Sequence, residues 1–306
     1  MITYLGRRIG EAIVSLFFVT VFAFLMIHLV PGNTVQIMLG TQATPTAVRN
    51  LTRELGLDKP LPVQYLAYMG NLLEGNLGSS IRSGLPVIQE ITSRVGATIE
   101  LALAAMVIAI PLGMLTGTLA AALRNRILDF VIMTLALFGL SVPTFWSGLL
   151  LILLFAEIFH LFPVISGPGL SGLVLPAITL ALPAAAVLAR MTRANMLEIL
   201  DQDFIRTATA KGLRWSSVIS RHALRNTFIP VLTIIALQFG GLLSGTVIVE
   251  SVFGRAGVGH LAVQAIQERD FPLVQGVILF AGVIFVLINL VTDLLYPVID
   301  PRIRLR

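Results

Sequence analysis

The chain alternates long apolar runs with shorter polar segments, and the apolar runs have the length of membrane-spanning helices. A spanning helix needs about 20 mostly apolar residues. Stretches of this kind lie at residues 10–30, 97–122, 128–157, 173–194, 228–250 and 273–297. The third is long and carries Pro143, which predicts a kink or a tilt. The pattern therefore predicts an all-α integral membrane protein with six transmembrane helices.

The composition supports lipid as the main solvent. Of the 306 residues, 56% are hydrophobic and only 12% are charged, whereas soluble domains carry about 25% charged residues. The chain has no cysteine, which excludes disulfides, thiolate metal sites and cysteine nucleophiles. The first apolar run, from Ala12 to Val30, is too long for a signal-peptide core and no small-x-small cleavage site follows it. We interpret it as a retained first span.

The distribution of basic residues predicts the orientation. The net charge is +5, which by itself would suit nucleic acid or anionic lipid. Most Lys and Arg residues, however, fall at the two ends of the chain, at 124–126 and at 190–225. Because basic residues in short loops mark the cytoplasmic side, we expect a multi-pass protein of a bacterial inner membrane with both termini cytoplasmic, and no nucleic-acid partner.

Three regions remain outside the predicted spans. Residues 31–96 are too long for a plain connection and contain helix-like stretches at Thr44–Leu57, Val63–Gly75 and Leu85–Val95. Thr44 or Thr46 is the expected N-cap of the first stretch, and Gly56 its stop. The organisation is then a first span at 1–30, a small external helical subdomain at 31–96, and a five-helix core at 97–306. An external turn at 251–272 and a cytoplasmic loop at 195–227 complete it.

The most informative stretch is the segment 201–226, DQDFIRTATAKGLRWSSVISRHALRN. Asp201 or Asp203 is expected to cap a short helix, and Gly212 to end it in a positive-φ turn. The small residues from Thr207 to Ala210 keep this helix slim enough for another backbone to approach.

Two interpretations of this segment stay open on physical grounds. Phe204 and Trp215 are apolar anchors among Arg206, Lys211 and Arg214, a pattern that suits insertion into a groove on a cytoplasmic partner. The same pattern suits a membrane-surface amphipathic helix that binds anionic headgroups.

The motifs RTATAKG (Arg206–Gly212) and HALRN (His222–Asn226) resemble the coupling loop of peptide-type ABC transporter permeases. The resemblance extends over nearly the whole chain, through segments at His28–Asn33, Leu55–Ile81, Ala189–Leu200, Val252–Gly276 and Asn289–Arg304. The chain departs from the family pattern at four positions: Thr207 stands for a Glu, Asn33 and Asn76 each stand for an Asp, and Ala256 stands for a Pro.

The resemblance implies the type I importer permease fold and a subunit without catalysis or a cofactor or metal of its own. It implies a second homologous permease, two ATP-binding subunits that carry ATP and Mg, and an external substrate-binding protein. The residues expected to couple to the ATP-binding subunits are Asp203, Phe204, Arg206, Thr207, Ala208, Ala210, Lys211, Gly212, Trp215, His222, Arg225 and Asn226. Motion would pass into the spans through the helix pair that continues at 190–200 and 227–240.

Further residues are candidates for other contacts. Gln238 and Asn289 lie in or near spans and are candidates for the translocation path, with interhelical hydrogen bonding as the equal alternative. The candidates for contact with the binding protein are Asn76, Phe253, Gly257, Gly259, Arg269 and Asp270. The acids Glu157, Glu250 and Asp293 are expected at the membrane interface. Gly113 and Gly117 have GxxxG spacing, as do Gly241 and Gly245, which is typical of close helix packing but also arises by chance.

Other functions fit the sequence less well. An ion-coupled secondary transporter predicts midplane acids and internal repeats, an intramembrane enzyme predicts a motif such as HExxH or GxSxG, and a passive channel has no use for a basic docking helix. The expected function is therefore import driven by ATP, with di- or oligopeptides or peptide-like solutes as substrate. Glutathione, opines and nickel chelates are the alternatives within the same family.

Overall fold

The computed structural model describes residues 2–29, 34–40, 43–54, 56–167 and 169–299. Its helices, in chain order, are α1 (Ile2–Leu29), α2 (Thr34–Leu39), α3 (Pro45–Glu54), α4 (Leu61–Leu73), α5 (Val87–Ala122), α6 (Ile127–Ser141), α7 (Thr144–Leu151), α8 (Leu170–Leu200), α9 (Asp203–Ala210), α10 (Trp215–Ser217), α11 (Leu224–Val252), α12 (Val258–Glu268) and α13 (Phe271–Ile299). Two π-helical segments, Ile152–Ile158 and Val218–Ala223, follow α7 and α10.

The predicted spans correspond to helices of sufficient length and hydropathy. Four are single helices, at Gly6–Met26, Val87–Ala122, Leu170–Leu200 and Phe271–Thr292, and two further spans arise if each of two bent helix pairs crosses once. The bent pairs are Ile127–Ser141 with Thr144–Ile158, and Trp215–Phe228 with Pro230–Leu242. The helical, multi-span architecture is thus confirmed.

The predicted kink at Pro143 is confirmed, and it is a sharp one. Val142 leaves the helical region, with φ −79° and ψ 125°, because the ring of a following proline disfavours helical backbone in the preceding residue. Pro143 then stands at the N-cap of α7. The axes of α6 and of the helix that begins at Thr144 meet at 104°, so the long third apolar run is two helices.

One compact unit consists of Ala97–Arg255 and Val291–Arg306, and α8 is its centre. In the most apolar window of α8, 72% of the residues are buried, and Leu180, Leu188 and their neighbours pack with α5 and α11. Such a helix is apolar on all sides because protein surrounds it. Both Pro176 and Pro183 lie inside α8, as membrane helices tolerate when neighbours satisfy the freed backbone groups.

The first GxxxG pair is a true packing motif. A Cβ added at Gly113 would lie 2.6 Å from Leu188 Cβ and 2.7 Å from Ala185 O, and one added at Gly117 would lie 2.7 Å from Thr192 Cβ. Only glycine permits so close an approach of α5 to α8. At the second pair, a Cβ added at Gly245 would lie 2.9 Å from Leu180 Cδ1, whereas Gly241 has no atom within 4 Å of such a Cβ.

The other compact unit consists of Met1–Gly96 and Ala256–Leu290. Here α4 packs on α1 through aromatic rings, with the centroids of Phe24 and Tyr65 5.4 Å apart in an edge-to-face arrangement. Thr20 Oγ1 and Tyr65 Oη are hydrogen-bonded at 2.9 Å. Edge-to-face aromatic pairs stabilise such contacts beyond their buried area, so α4 is held against the first span.

The sequence pattern places Leu85–Val95 among the external helices, but the structure does not show it as a separate helix. Residues from Val87 onwards belong to α5, which continues without a break to Ala122. Val87 and Ile91 are fully buried and pack with residues of α12 and α13. Their spacing of one helical turn continues the apolar face of the span into a polar stretch. The helix therefore begins at Val87, about ten residues before the continuous apolar run that was used to predict its start.

The remaining loop predictions have mixed outcomes. The Ala47 amide donates to Thr44 Oγ1 at 3.2 Å, and Gly56 has φ +64°, which confirms Thr44 as the cap and Gly56 as the stop. Residues 251–272 were predicted as a turn but contain α12, which ends where Arg269 adopts φ +58°.

Candidate functional site

The 201–226 segment begins with a junction between two helices. Asp201 is the C-cap of α8 and Gln202 is the N-cap of α9, without a side-chain capping hydrogen bond. The expectation that Asp201 or Asp203 caps α9 is therefore wrong. The Asp201 carboxylate instead accepts from Arg124 at 3.1 and 3.2 Å. Asp203 is the first residue of α9 and pairs with Arg206 at 3.3 Å, where an acid interacts favourably with the helix dipole.

Gly212 ends the helix as predicted. Its φ is +78°, and the amides of Lys211 and Gly212 donate to Thr207 O and Thr209 O at 3.1 and 2.9 Å. Glycine enters this left-handed region without the steric cost that a Cβ brings. No atom lies within 4 Å of the place where a Cβ would stand, so the backbone conformation, and not crowding, selects glycine here.

The inner face of α9 packs on the chain itself. Ile205 and Ala208 are 3% and 7% exposed, and they belong to an apolar cluster with Ala121, Met196, Ile199, Val218 and Ala223. The sequence pattern predicts that Ala208 faces an approaching partner. In the structure Ala208 faces the chain itself. Its small size instead lets α9 lie close to the end of α8 and to the π-helical segment 218–223.

The outer face of the 201–226 segment is basic and carries two aromatic rings. Phe204 is 39% exposed and Trp215 is 48% exposed. The other exposed residues among those predicted to couple are Asp203, Arg206, Thr207, Ala210, Lys211, Gly212, Arg225 and Asn226. His222 is half-buried, and its carbonyl accepts from Asn226 Nδ2 at 2.7 Å. Helix α9 is therefore held on its inner face by the chain's own apolar cluster, and its outer face exposes basic and aromatic side chains.

An ion pair that the sequence reasoning missed lies beside this segment. Arg193 of α8 donates from Nε and from a terminal nitrogen to the two oxygens of Asp129, both at 2.7 Å. The backbone N–H of Asn125 donates to Asp129 Oδ2 at 3.3 Å. The sequence did contain a signal for this pair, because Asp129 is an acid in the first turn of an apolar helix and charged residues within spans are candidates for a function. We name this pair the Asp129–Arg193 fork.

The candidates for contact with a binding protein separate into two groups. Asn76 and Arg269 are exposed. Phe253 is 1% exposed and Asp270 is fully buried, and Gly257 and Gly259 are also buried. In this conformation the chain itself covers the Phe253 and Asp270 side chains, which disfavours a direct contact with another protein through them; for Asn76, Gly257, Gly259 and Arg269 the contact stays a prediction.

Asp270 has a structural role instead. Ser80 Oγ donates to Asp270 Oδ2 at 2.5 Å, and the amides of Arg82 and Leu273 donate to its two oxygens at 3.3 Å. Buried carboxylates need such partners. Asp270 thus ties the loop before α5 to the start of α13. An open cavity of about 430 Å³ lies beside it, with Arg82, Gln89, Glu90, Arg94, Gln264 and Glu268 among its lining residues.

The translocation-path candidates occupy ordinary helical positions. Gln238 lies on α11 and Asn289 on α13, and both are half-buried. The structure tests neither as a path residue. Glu250 lies in the last turn of α11 and is fully buried, and it accepts from Thr98 Oγ1 at 2.7 Å; its depth at the membrane interface stays a prediction. Glu157 is exposed, and the side chain of Asp293 lies outside the described residues.

Comparison with protein families gives two matches in chain order. Residues 1–102 match the family described as "Binding-prot-dependent transport system membrane comp, N-term", and residues 109–305 match "Binding-protein-dependent transport system inner membrane component". The second match covers more than half of the chain and includes the 201–226 segment.

Curated relatives align over almost their whole length. The dipeptide transport system permease protein of Alkalihalophilus pseudofirmus is 42% identical, with 99% of this chain and all of that protein covered. The dipeptide transport system permease protein of Escherichia coli K12 is 40% identical, with 99% of each chain covered. The glutathione transport system permease protein of Escherichia coli O6:H1 is 41% identical, again with 99% of each covered.

Solved structures share the fold. An inward-facing methionine ABC transporter chain superposes with a TM-score of 0.57 at 16% identity, over 70% of this chain and 97% of that chain. An amino acid ABC transporter gives a TM-score of 0.55 at 18% identity, over 68% and 94%. The expected type I importer permease fold is therefore confirmed, and the chain belongs to the binding-protein-dependent transport system inner membrane component family, as a multi-pass permease subunit of an ABC importer.

Proposed function

We propose that this permease forms, with a second homologous permease, the membrane path for di- or oligopeptides or peptide-like solutes that an external binding protein delivers. ATP hydrolysis belongs to two partner subunits on the cytoplasmic side, and this chain has no catalysis of its own. Both termini and the 201–226 segment lie in the cytoplasm. The whole assembly works in a bacterial inner membrane.

The single observation that carries the coupling role is the geometry of α9. Its apolar residues Ile205 and Ala208 are buried against the chain itself, while Phe204, Arg206 and Lys211 project outward. A helix fixed in this way transmits a push from a partner to the helices beneath it. Exposed aromatic and basic side chains on a short helix suit a groove on an ATP-binding subunit.

The same geometry disfavours the membrane-surface alternative. An interfacial helix buries its apolar face in the boundary between headgroups and acyl chains. In α9 the fully apolar face is already occupied by the chain's own cluster, which includes Met196 and Val218. What remains outward is mainly polar, with Phe204 as its single large apolar side chain within the helix. The exposed face of α9 is therefore better suited to binding a protein than to insertion into the membrane surface.

The names of the curated relatives support a peptide-like substrate. Two of those named above are dipeptide permeases and the third is a glutathione permease, and all these solutes are peptides with charged termini. We therefore propose a small peptide as the substrate. Opines and nickel chelates are the alternatives that the test below must separate.

Co-purification tests the function directly. The tagged chain is expressed with its neighbouring genes, solubilised and purified, and ATPase activity is measured with each candidate binding protein and with dipeptides, glutathione, an opine or a nickel chelate. We expect two ATP-binding subunits and a second permease to co-purify, and a peptide-loaded binding protein to stimulate hydrolysis. If the chain purifies alone and without ATPase activity, an ion-coupled transporter replaces this proposal.

A further inference from the structure

Helix α6 has one buried side chain, and that side chain carries a charge. Asp129 is the buried residue of α6, and the side chain is only 7% exposed. In contrast, Ile127, Phe130 and Leu135 of the same helix are 83%, 73% and 65% exposed. Further along, α6 approaches α8 closely, since a Cβ added at Gly139 would lie 3.8 Å from Ala186 Cβ. In the first turn, where Ile127 and Phe130 are exposed, the Asp129 carboxylate supplies the contact with α8.

The geometry around Asp129 is directional. Both carboxylate oxygens accept from Arg193 at 2.7 Å, which is the bidentate arrangement that fixes orientation as well as distance. Asn125 lies in the left-handed region at φ +63°, and its backbone N–H donates to the same carboxylate at 3.3 Å. The connection between α5 and α6 is thus folded around the fork.

The partner residue lies on the element that carries the coupling helix. Arg193 is seven residues before the end of α8, which corresponds to about 10 Å along the helix. Within that interval Met196 and Ile199 enter the apolar cluster that holds Ile205 and Ala208 of α9. The end of α8 and α9 are therefore one packed body, and the fork is a direct polar link from this body to α6.

A second, weaker link joins the same two segments. Arg124 pairs with Asp201 at 3.1 Å, but their side chains are 50% and 64% exposed. Exposed ion pairs contribute little to stability because water screens them. In the fork the Asp129 side chain is 7% exposed and the Arg193 side chain 28% exposed, so the loss of one partner leaves a largely desolvated charge, which costs more. The chain thus contains a matched exposed pair with which the effect of the fork can be compared.

We propose that Asp129 and Arg193 are positioning residues for coupling. The fork makes α6 follow the end of α8 when an ATP-binding subunit moves α9, and so delivers that motion to the helix pair that breaks at Pro143. This inference rests on the proposed coupling role of the 201–226 segment. It adds a second route for the motion, through α6, to the route through α8 and α11.

The test uses the complete transporter in lipid vesicles and measures peptide transported per ATP hydrolysed, per assembled complex. The variants are Asp129→Asn, Arg193→Met, the exchanged double variant Asp129→Arg/Arg193→Asp, and Arg124→Gln as the matched control. We expect each single fork variant to lower the ratio about tenfold, the size typical of coupling residues, and the double variant to recover most of it. Arg124→Gln should leave the ratio unchanged.

A merely structural fork would have a different signature. Fork variants would then assemble in smaller amounts, but each assembled complex would transport at the parental ratio, and that result overturns the inference. If the single variants do not assemble, Arg193→Lys keeps the charge and loses the two-pronged contact. It should assemble and lower the ratio about threefold, and a parental ratio overturns the inference. A parent complex without peptide-stimulated ATPase activity overturns the proposed function itself.

Discussion

At position 212 the backbone conformation limits which residues the chain accepts. Gly212 has a φ of +78°, and no atom lies within 4 Å of the place where a Cβ would stand. A larger residue at this position would therefore meet backbone strain but no steric crowding. At position 208 the reverse holds, because Ala208 is buried in the cluster of α8 and α9 and crowding decides. These two residues therefore make different predictions for the same segment.

Gly212→Val should uncouple transport while the protein still inserts in the membrane. A β-branched residue in the left-handed region costs about 1–2 kcal/mol, which opens the turn after α9. Gly212→Asn is the matched control, since asparagine tolerates this region. We expect peptide transported per ATP to fall for the valine variant and to stay near the parental value for the asparagine variant. Equal behaviour of the two would contradict the role of the turn.

Phe204→Ala and Ala208→Glu should weaken the complex for different reasons. Phe204 is exposed, so its loss should reduce co-purification of the ATP-binding subunits without a change in the Tm of the isolated chain. Ala208→Glu buries a carboxylate without a partner, which costs several kcal/mol, so we expect a lower Tm as well. Undiminished co-purification of Phe204→Ala would argue against docking through α9.

At the scale of the elements, close helix–helix contacts depend on small residues at the points where two helices meet. The approach of α5 to α8 uses Gly113 and Gly117, and the apolar stripe of α5 that includes Val87 and Ile91 extends the helix beyond its predicted start. Sequence spacing indicates both features. It does not say which glycines of the two GxxxG pairs lie against a neighbouring helix, because that depends on what lies opposite each glycine.

Gly113→Ala should destabilise the isolated chain and Gly241→Ala should not. The new Cβ at 113 would lie 2.6 Å from Leu188 Cβ, whereas at 241 no atom lies within 4 Å. Overpacking costs about 1–3 kcal/mol, while alanine in an open helical position gains up to about 1 kcal/mol over glycine. Thermal unfolding in detergent should thus show a lower Tm for the first variant only. A Tm for Gly113→Ala at or above the parental value would contradict the close contact of α5 with α8.

At the scale of the whole molecule, the orientation in the membrane stays a prediction from charge. The absence of cysteine makes it directly testable, because a single introduced thiol labels without background. Thr46 and Ser216 are both exposed and are predicted on opposite sides. We expect Thr46→Cys to react with an impermeant maleimide in spheroplasts, and Ser216→Cys only after permeabilisation. Labelling of Ser216→Cys in intact spheroplasts would reverse the topology.

Much of the molecule follows from the sequence by itself. The multi-span helical architecture, the break at Pro143, the turn at Gly212 and the family are readable because lipid as solvent, proline and glycine each impose local rules. Only the tertiary structure decided that Ala208 and Ile205 turn inward, that Phe253 and Asp270 are buried, and that Asp129 meets Arg193. Each of these depends on a neighbour from a distant part of the chain, and periodicity along one helix carries no information about what packs against it.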